Sequence, residues 1–192
     1  MTKLNTTKAK IAKVAWKLFN EKGYDATTVD DIILESGTSK GSFYHYYSSK
    51  DELLASLSDV LDNMYRDIEP QIDPDMNSFD KLMFICFTAH EMIEKDIPLD
   101  LLSYLYSSQV VTKGDKHLLD NNRYYYYIIK QFVLEGQKRG QITVSKPCEF
   151  ITRLYTICER AIIYDYCISD GNYSLGKRTR ELMPLLFGCV KI

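Results

Sequence analysis

Long apolar runs are missing from this chain of 192 residues. No stretch of about 18 consecutive apolar residues occurs, so we expect no membrane-spanning helix. The opening segment MTKLNTTKAKIAKVAW contains lysines but lacks the apolar region of a signal peptide, so we expect no secretory leader. These two absences favour a cytoplasmic protein without a membrane partner.

Cysteines with C-x-x-C spacing are also absent. The five cysteines are an odd number, and they are scattered through apolar stretches, where a free cysteine behaves as a small hydrophobic residue. This usage favours a reducing compartment, although a redox-sensing thiol stays open as an alternative. The five are Cys86, Cys148, Cys158, Cys167 and Cys189.

The signals of common enzyme sites are missing as well. We find no paired nucleophile and base, no glycine-rich phosphate loop and no convincing set of metal ligands. The carboxylate pairs Asp30–Asp31 and Asp51–Glu52 are explained as charges in the first turn of a helix, where acids are favourable. We therefore predict no catalytic residue, no cofactor and no enzymatic activity.

A strong charge of one sign is absent too, because the formal net charge is −2. The charge is nevertheless uneven, since residues 1–50 carry eight basic and five acidic side chains, a net of +3. A basic N-terminal segment on an acidic body suggests one anionic partner that is met at one end. Chance is the alternative, because three charges make a weak asymmetry.

Helical periodicity is what the chain does contain. Near the start, apolar residues recur on one helical face until Gly23, at Ile11, Val14, Ala15, Leu18 and Phe19. Further helices are predicted at 28–35, 39–46, 53–69, 78–95, 98–109, 117–139, 147–169 and 174–190. The clearest break is the loop at 70–77, and the only strand-like stretch is Gln141–Val144. The predicted class is all-α.

Two of the short helices, with the turn Ser36-Gly37-Thr38 between them, form a helix-turn-helix candidate. The second of them is only about two turns long and cannot be stable alone, so Phe43 and Tyr47 are expected to pack it onto its neighbours. The remaining side chains would face outward, and they suit a groove of phosphates and base edges. They are Lys40, Gly41, Ser42, Tyr44, His45 and Tyr46, with Lys50 at the start of the next helix.

The stretch TTVDDIILESGTSKGSFYHYYSSKDELL resembles the DNA-binding signature of the tetracycline-repressor (TetR) family of bacterial transcriptional regulators. The resemblance is close over residues 8–61 and extends to the remainder only as an all-helical body. It departs mildly at Thr38, Ser42 and Trp16, and at the aromatic pair. The resemblance implies an N-terminal three-helix DNA-binding domain at 1–50 and a larger effector-binding and dimerisation domain at 51–192.

The same resemblance implies roles for single residues on double-stranded operator DNA. Thr28 would hydrogen-bond a phosphate, and Tyr44 and Lys50 would grip phosphates on either side of the major groove. Base edges or sugar would be faced by Lys40, Gly41, Ser42, His45 and Tyr46. Lys40 is the best candidate for reading guanine, at roughly 1–3 kcal/mol of discrimination.

Tyrosine is abundant, with 15 copies, many of them in the predicted body. Phenol rings offer flat apolar walls with a directional hydroxyl, which suits an aromatic or apolar ligand. An ordinary aromatic core is the alternative for each of them. The predicted effector pocket consists of Phe87, His90, Tyr104, Tyr125, Tyr126, Ile129, Tyr155 and Cys158.

His90 is spaced with Cys86 and Glu94 as C-x3-H-x3-E, one helical turn apart on each side. Such a ladder is able to bind a metal. A buried histidine with one satisfied partner is the commoner reason for the pattern. We therefore predict no metal site, and a neutral hydrogen-bonding role for His90.

The last two predicted helices resemble the dimerising pair of the family and would form a four-helix bundle with a second copy. Pro184 is expected to kink or interrupt the last one. The predicted stripes are Ile151, Leu154, Tyr155, Cys158, Ala161 and Ile162 on one helix, and Leu175, Leu182, Leu185, Leu186 and Cys189 on the other.

These predictions combine into a homodimeric, ligand-responsive regulator. A repressor is the favoured form, released from a pseudo-palindromic operator when a small aromatic or apolar effector shifts the helix at 53–69. One alternative is a helical small-molecule-binding protein or enzyme with a non-functional DNA-reading head. A second alternative is an interaction protein that uses its last helices as a scaffold.

Overall fold

The computed structural model of this chain describes residues 6–111 and 116–192. Over these residues the regular structure is helical, as predicted, and the strand-like stretch contributes only a bridge between Ile142 and Lys191. The helices are α1 (Thr6–Lys22), α2 (Val29–Ser36), α3 (Lys40–Tyr46), α4 (Lys50–Ala55), α5 (Leu57–Ile68), α6 (Ser78–Asp96), α7 (Leu99–Val111), α8 (Tyr124–Lys138), α9 (Cys148–Ile168) and α10 (Leu175–Phe187). None of the described helices is both long and apolar enough to cross a lipid bilayer.

The chain divides into two compact units, but the division does not follow the predicted boundary after residue 50. The first unit runs to Asp59 and takes up the segment Asp100–His117, and the second comprises Val60–Leu99 and Leu118–Ile192. Side chains of α7 explain the difference. The ring of Tyr104 packs against Tyr24 with 4.6 Å between centroids, and its hydroxyl donates a hydrogen bond to Asp25.

In the first unit, α1 packs against α2 and α3. Ile11, Phe19, Ile32 and Phe43 are buried between these helices, so the apolar face that the periodicity predicted is the face that forms the core. Gly37 ends α2 with φ of 60°, a left-handed conformation that glycine adopts without strain. This sharp end of α2 allows the chain to reverse into α3.

The helix predicted over 53–69 is in fact two helices that meet at Ser56. The hydroxyl of Ser56 donates to the carbonyl oxygen of Leu53 at 2.6 Å and lies 3.3 Å from the indole nitrogen of Trp16. A serine hydroxyl that bonds a nearby carbonyl competes with the helical ladder, which explains the break. The boundary between the two units falls within α5.

In the second unit, α6, α8, α9 and α10 form a closed ring in which each helix packs against the next: α6 on α8, α8 on α9, α9 on α10, and α10 on α6. Such a four-helix arrangement encloses one core. Large side chains fill it, among them Leu82, Ile85, Tyr155 and Phe187.

Two predicted boundaries in this unit were wrong. The helix predicted from 117 begins at Tyr124, because Asp120 accepts hydrogen bonds from the backbone nitrogens of Asn122 and Arg123 and forms a turn there. The last helix ends at Phe187, after which Gly188–Val190 form a 3-10 turn. Pro184 lies inside α10, and the helix continues past it.

Candidate DNA-binding surface and buried polar cluster

Helix α3 depends on its neighbours and on a serine cap. Ser39 accepts a hydrogen bond from the backbone nitrogen of Ser42 at 3.1 Å, which satisfies one of the free donors at the helix start. Phe43 is fully buried and Tyr47 is nearly so, as the sequence predicted. These two rings hold the seven-residue helix on the first unit, so its remaining face is left for solvent.

Most of the residues predicted to read DNA lie at the surface of the first unit. Lys40, Gly41, Tyr44 and His45 are exposed, while Ser42 and Tyr46 are half-buried. Lys40 Nζ lies 3.8 Å from Asp30, and both side chains are more than two-thirds exposed, so this ion pair is easily exchanged for another partner. The surface therefore presents cationic, hydroxyl and imidazole donors side by side.

Thr28 is exposed but has local partners. Its hydroxyl accepts from the backbone nitrogen of Asp31 at 3.1 Å and donates to Asp31 Oδ2 at 2.8 Å. The backbone nitrogen of Thr28 also donates to that carboxylate, which completes a capping box. These hydrogen bonds from Thr28 hold the pKa of Asp31 below its usual range.

Lys50 is half-buried and also has partners within the first unit. Its ammonium donates to the carbonyl oxygens of Tyr24 at 2.8 Å and Thr27 at 3.1 Å, and it lies 4.1 Å from the centroid of the Tyr24 ring. An ammonium group has three donors, so these bonds use two of them. Lys50 thus ties the start of α4 to the turn between α1 and α2, a structural role that the sequence did not indicate.

Three of the predicted pocket residues meet in the core of the second unit. His90 of α6, Tyr125 of α8 and Tyr155 of α9 are buried, and they surround a carboxylate that was not predicted there, Glu159 of α9. Tyr125 donates a hydrogen bond to Glu159 Oε2. Tyr155 donates instead to the carbonyl oxygen of Leu82 at 2.8 Å.

Cys86 and Thr179 complete this group, which we call the buried polar cluster: Cys86, His90, Tyr125, Glu159 and Thr179. His90 Nδ1 lies 2.7 Å from the hydroxyl oxygen of Thr179, and His90 Nε2 lies 3.9 Å from Glu159 Oε1. Neither His90 Nε2 nor Glu159 Oε1 has a hydrogen-bond partner. All four helices of the ring contribute a side chain to the cluster.

Burial dominates the titration of the cluster. It raises the pKa of Glu159 to about 7, although the hydrogen bond from Tyr125 opposes this change. It lowers the pKa of His90 to about 3, so the imidazole is neutral at physiological pH. It also raises the pKa of the Cys86 thiol.

The other predicted pocket residues are dispersed. Ile129 and Cys158 are buried in the second unit, and half-buried Phe87 lies 4.9 Å from the guanidinium of Arg180. Tyr104 belongs to the first unit, where it contacts Asp25 and Tyr24, and so it does not join the buried polar cluster.

Tyr126 lines a cleft of about 400 Å³ at the surface of α8 and α9. Its hydroxyl accepts a hydrogen bond from Arg160 at 3.0 Å. The rim is cationic in part, because it includes Lys130, paired with Glu149 at 2.9 Å, and Arg153. The complete lining is Asn121, Tyr126, Tyr127, Lys130, Glu149, Thr152 and Arg153.

The outward face of α9 is apolar, but of the predicted stripe only Ala161 is exposed there. Ile151, Tyr155, Cys158 and Ile162 are buried within the second unit, because α9 packs against α8 and α10. The exposed stripe with helical spacing consists of Phe150, Ile157, Ala161, Tyr164 and Ile168. On α10 the prediction holds in part, since Leu185 and Leu186 are exposed but Leu175 is buried.

Two residues of the buried polar cluster, Glu159 and Thr179, were not predicted from the sequence. Glu94, which completed the predicted ladder, accepts hydrogen bonds from Ser174 Oγ at 3.0 Å and the backbone nitrogen of Gly176 at 2.9 Å. Glu159 and Thr179 come from distant helices, so no spacing links them to His90. The sequence does contain one signal: Glu159 is a charged residue that directly follows Cys158, on the apolar side of its helix.

Comparisons with known proteins agree with this geometry. The model of "Bacterial regulatory proteins, tetR family" matches residues 11–57, which contain α2 and α3. The transcriptional repressor KstR2 of Rhodococcus jostii is 32% identical over 161 residues, which cover 75% of this chain and 74% of that protein. KstR2 of Mycobacterium tuberculosis is 36% identical over 95 residues, covering 47% of this chain and 46% of that repressor, so the match spans less than half its length.

Among solved structures, the FadR repressor of Thermus thermophilus in complex with lauroyl-CoA covers 93% of this chain. The TM-score is 0.78, 92% of that protein is covered, and the sequence identity is 16%. The TM-score and the coverage show that the two chains share a fold, and at this identity the likeness extends to the fold alone.

Proposed function

This chain belongs to the TetR family of bacterial regulatory proteins, and from that premise we propose that it is a transcriptional repressor whose affinity for operator DNA is controlled by a small molecule. The observation that carries the proposal is which side chains of α3 are buried and which are exposed. Its aromatic anchors are buried, while Lys40, Tyr44 and His45 are exposed on one short helix. A surface of this kind fits a major groove, where such side chains meet phosphates and base edges.

Within the proposal, the exposed residues have different tasks. Lys40 reads a base edge, because its ammonium is held only by an exposed ion pair that DNA can replace. Tyr44 contacts a phosphate through its hydroxyl. Lys50 contributes through its third donor and through the fixed position of α4, since two of its donors are already used.

The effector that we favour is a thioester of coenzyme A with an apolar acyl group. The lauroyl-CoA in the FadR of T. thermophilus supports this class, because the two chains share a fold. The cleft on α8 and α9 adds support: Tyr126 and Tyr127 offer aromatic surface, and Lys130 and Arg153 offer cations for an anionic group. Lauroyl-CoA, stearoyl-CoA and free coenzyme A would be compared by isothermal titration calorimetry.

A homodimer is part of the proposed function. The outward face of α9 carries Phe150, Ile157, Tyr164 and Ile168, each about half exposed or more. Several exposed apolar side chains on the solvent side of one helix mark an interaction surface. A second copy related by a two-fold axis would cover it and would present two α3 helices to successive major grooves, about 34–36 Å apart.

Helix α5 is the proposed route from effector to DNA-binding surface, because the boundary between the two units falls within it. Its C-terminal part is fixed to the start of α8 through Asp62, which pairs with Arg123, and through Tyr65, whose ring lies 4.8 Å from that of Tyr125. An effector that prefers one position of α8 over another would thereby prefer one position of α5.

Fluorescence anisotropy with duplex DNA from the protein's own promoter region tests the proposal. We expect sequence-specific binding that weakens steeply with salt, because phosphate contacts release counterions. The variant Lys40→Ala should change which sequence is preferred. The matched control is Lys95→Ala, because Lys95 is an exposed lysine on α6 of the second unit. This variant should leave DNA binding unchanged.

The rival from another class is a helical ligand carrier or enzyme whose DNA-reading head is inactive. It predicts equal, weak binding to promoter and random duplexes at physiological salt. Equal loss of affinity for both duplexes in Lys40→Ala would contradict the base-reading role of Lys40 and leave only a phosphate contact.

A further inference from the structure

The buried polar cluster has an arrangement that hydrogen bonding within the chain does not explain. Thr179 donates its single hydroxyl proton to the carbonyl oxygen of Leu175 at 2.8 Å. The proton in the 2.7 Å contact between Thr179 and His90 Nδ1 must therefore come from the imidazole. A neutral imidazole carries one proton, so His90 Nε2 presents a bare lone pair to the core.

Glu159 Oε1 lies 3.9 Å from that lone pair, too far for a hydrogen bond, and no donor reaches it at hydrogen-bond geometry. The Cys86 thiol and the Tyr155 hydroxyl are other polar groups that interact with this carboxylate. Two unpartnered acceptor atoms thus face each other where both side chains are at most 2% exposed. Buried polar atoms are almost always satisfied, and an exception calls for an unseen donor or cation. The Sγ atom of Cys86 completes the group, because the three ligand atoms lie within 4.8 Å of one another.

We propose that Cys86, His90 and Glu159 bind a divalent transition-metal cation of the zinc class inside the ring of α6, α8, α9 and α10. Nitrogen, sulfur and oxygen donors of this kind form three-ligand zinc sites at bond lengths of about 2.0–2.3 Å. Such bonds need ligand atoms closer than their present separations, so side-chain shifts of roughly 1 Å would close the site. A solvent molecule would supply the fourth ligand.

Charge and outer contacts suit a cation better than a water molecule. When the cation binds, Cys86 and any protonated Glu159 release their protons to solvent. The resulting thiolate and carboxylate neutralise the divalent cation, which removes the cost of an isolated buried charge. Two hydrogen bonds to the ligands also follow the pattern of metal sites. In such sites the imidazole nitrogen that does not bind the metal has a hydrogen-bond partner that orients the ring, and a second partner holds the carboxylate. Here Thr179 orients His90, and Tyr125 holds Glu159. The bound cation would cross-link α6 to α9.

This site goes beyond the proposed regulation by an organic effector, and it is tested separately from DNA binding. The protein, purified without a histidine tag and stripped with chelator, would be titrated with Zn²⁺ and with Co²⁺. We expect one equivalent per chain by elemental analysis, and the thiolate-to-cobalt charge-transfer absorption of a sulfur-bound Co²⁺. Zn²⁺ should also raise the unfolding temperature, because a ligand of the folded state stabilises it.

Variants assign the ligands. Cys86→Ser should abolish the charge-transfer absorption, and Glu159→Gln and His90→Gln should each prevent stoichiometric uptake. Thr179→Val should keep the absorption but weaken Co²⁺ binding about 10- to 100-fold, because Thr179 positions His90 without touching the cation. The matched control is Cys148→Ser, since Cys148 is another buried cysteine and lies outside the cluster.

The unmodified protein alone can overturn the proposal, so a variant that fails to fold does not leave it undecided. Absence of stoichiometric Zn²⁺ and Co²⁺ uptake by the folded chain would rule out the site. Charge-transfer absorption that persists in Cys86→Ser, or disappears in Cys148→Ser, would equally contradict it.

Discussion

The guanidinium of Arg123 and the carboxylate of Asp62 form a nearly buried ion pair, with 2.7 Å between Nη2 and Oδ1. Arg123 Nε donates to the same oxygen at 3.1 Å, and the backbone nitrogen of Tyr124 donates to Oδ2 at 3.1 Å. Asp62 therefore fixes α5 to the first turn of α8, where its negative charge also suits the positive helix end. These bonds hold the part of α5 around Asp62 against the start of α8.

The variant Arg123→Met is expected to lower the free energy of unfolding by roughly 3 kcal/mol, because it leaves a nearly buried carboxylate without its cation. The double variant Asp62→Leu with Arg123→Met should regain part of that loss, since both charges are then removed. Urea unfolding in a double-mutant cycle measures the difference.

A matched control for this ion pair is Arg180→Met. Arg180 pairs with Glu91 at the same 2.7 Å, but both side chains are about half exposed. The cost there should be within about 1 kcal/mol. An equal loss of unfolding free energy in the two variants would contradict the view that burial, rather than distance, determines how much the Asp62 pair stabilises the fold.

Adjacent aromatic residues of α3 should separate folding from DNA binding. Phe43 is fully buried and Tyr44 is 48% exposed. Phe43→Ala should lower the free energy of unfolding by about 3–5 kcal/mol and abolish specific binding, because the helix loses its anchor. Tyr44→Phe keeps the ring and removes only the hydroxyl, so it should leave stability unchanged and weaken binding to all sequences alike.

Urea unfolding and fluorescence anisotropy on operator and random duplexes check this pair. Unchanged affinity in Tyr44→Phe would remove the hydroxyl from the phosphate contacts. A destabilised Tyr44→Phe would instead show that the hydroxyl serves the fold.

The helical class and most helices of the first unit follow from periodicity and capping residues, because these signals are local. The break at Ser56 and the late start of α8 were missed, since each depends on how one polar side chain bonds a neighbouring backbone group. The outward stripe of α9 was assigned to the wrong face, because α9 is apolar on two sides and periodicity alone does not say which side meets the core.

The candidate sites likewise include residues that a local sequence pattern predicts and residues that it does not. Lys40, Tyr44 and His45 were predicted to be exposed because they share one short helix with the buried anchors, and a local pattern suffices for that. The proximity of His90 to Glu159 could not be predicted, since it depends on the tertiary packing of α6 and α9. The DNA-contact roles stay predictions that the binding experiments address.

The ion pair between Lys81 and Glu135 gives a pH dependence with a defined sign. Lys81 is nearly buried and donates to Glu135 at 2.9 and 3.1 Å. Burial raises the pKa of Glu135, but hydrogen bonds from Lys81 and Arg139 outweigh it and hold the pKa below the ordinary value of 4.5. Because the pKa is depressed in the folded state, the stabilisation is present above pH 4.5 and is lost as the pH falls through the folded-state pKa.

Glu135→Gln is therefore expected to cost about 1–2 kcal/mol at neutral pH, and the cost should shrink below about pH 4.5. Urea unfolding at a series of pH values measures this convergence. Glu149→Gln is the control, because Glu149 pairs with Lys130 on the exposed surface and its loss should change stability little at any pH. Curves for Glu135→Gln and the unmodified protein that stay parallel would contradict the assignment.

The apolar stripe of α9 makes the dimer testable at one residue. Ile157 lies at the middle of the stripe and is 48% exposed, so a second copy would bury it. Ile157→Glu places an unpaired charge in that interface, at a cost of about 2 kcal/mol or more, which weakens dimerisation roughly 30-fold or more. Val144→Glu is the control, because Val144 is an exposed apolar residue outside the stripe. Analytical ultracentrifugation measures the dissociation constants, and a dimer that tolerates Ile157→Glu as well as Val144→Glu would place the interface on another face.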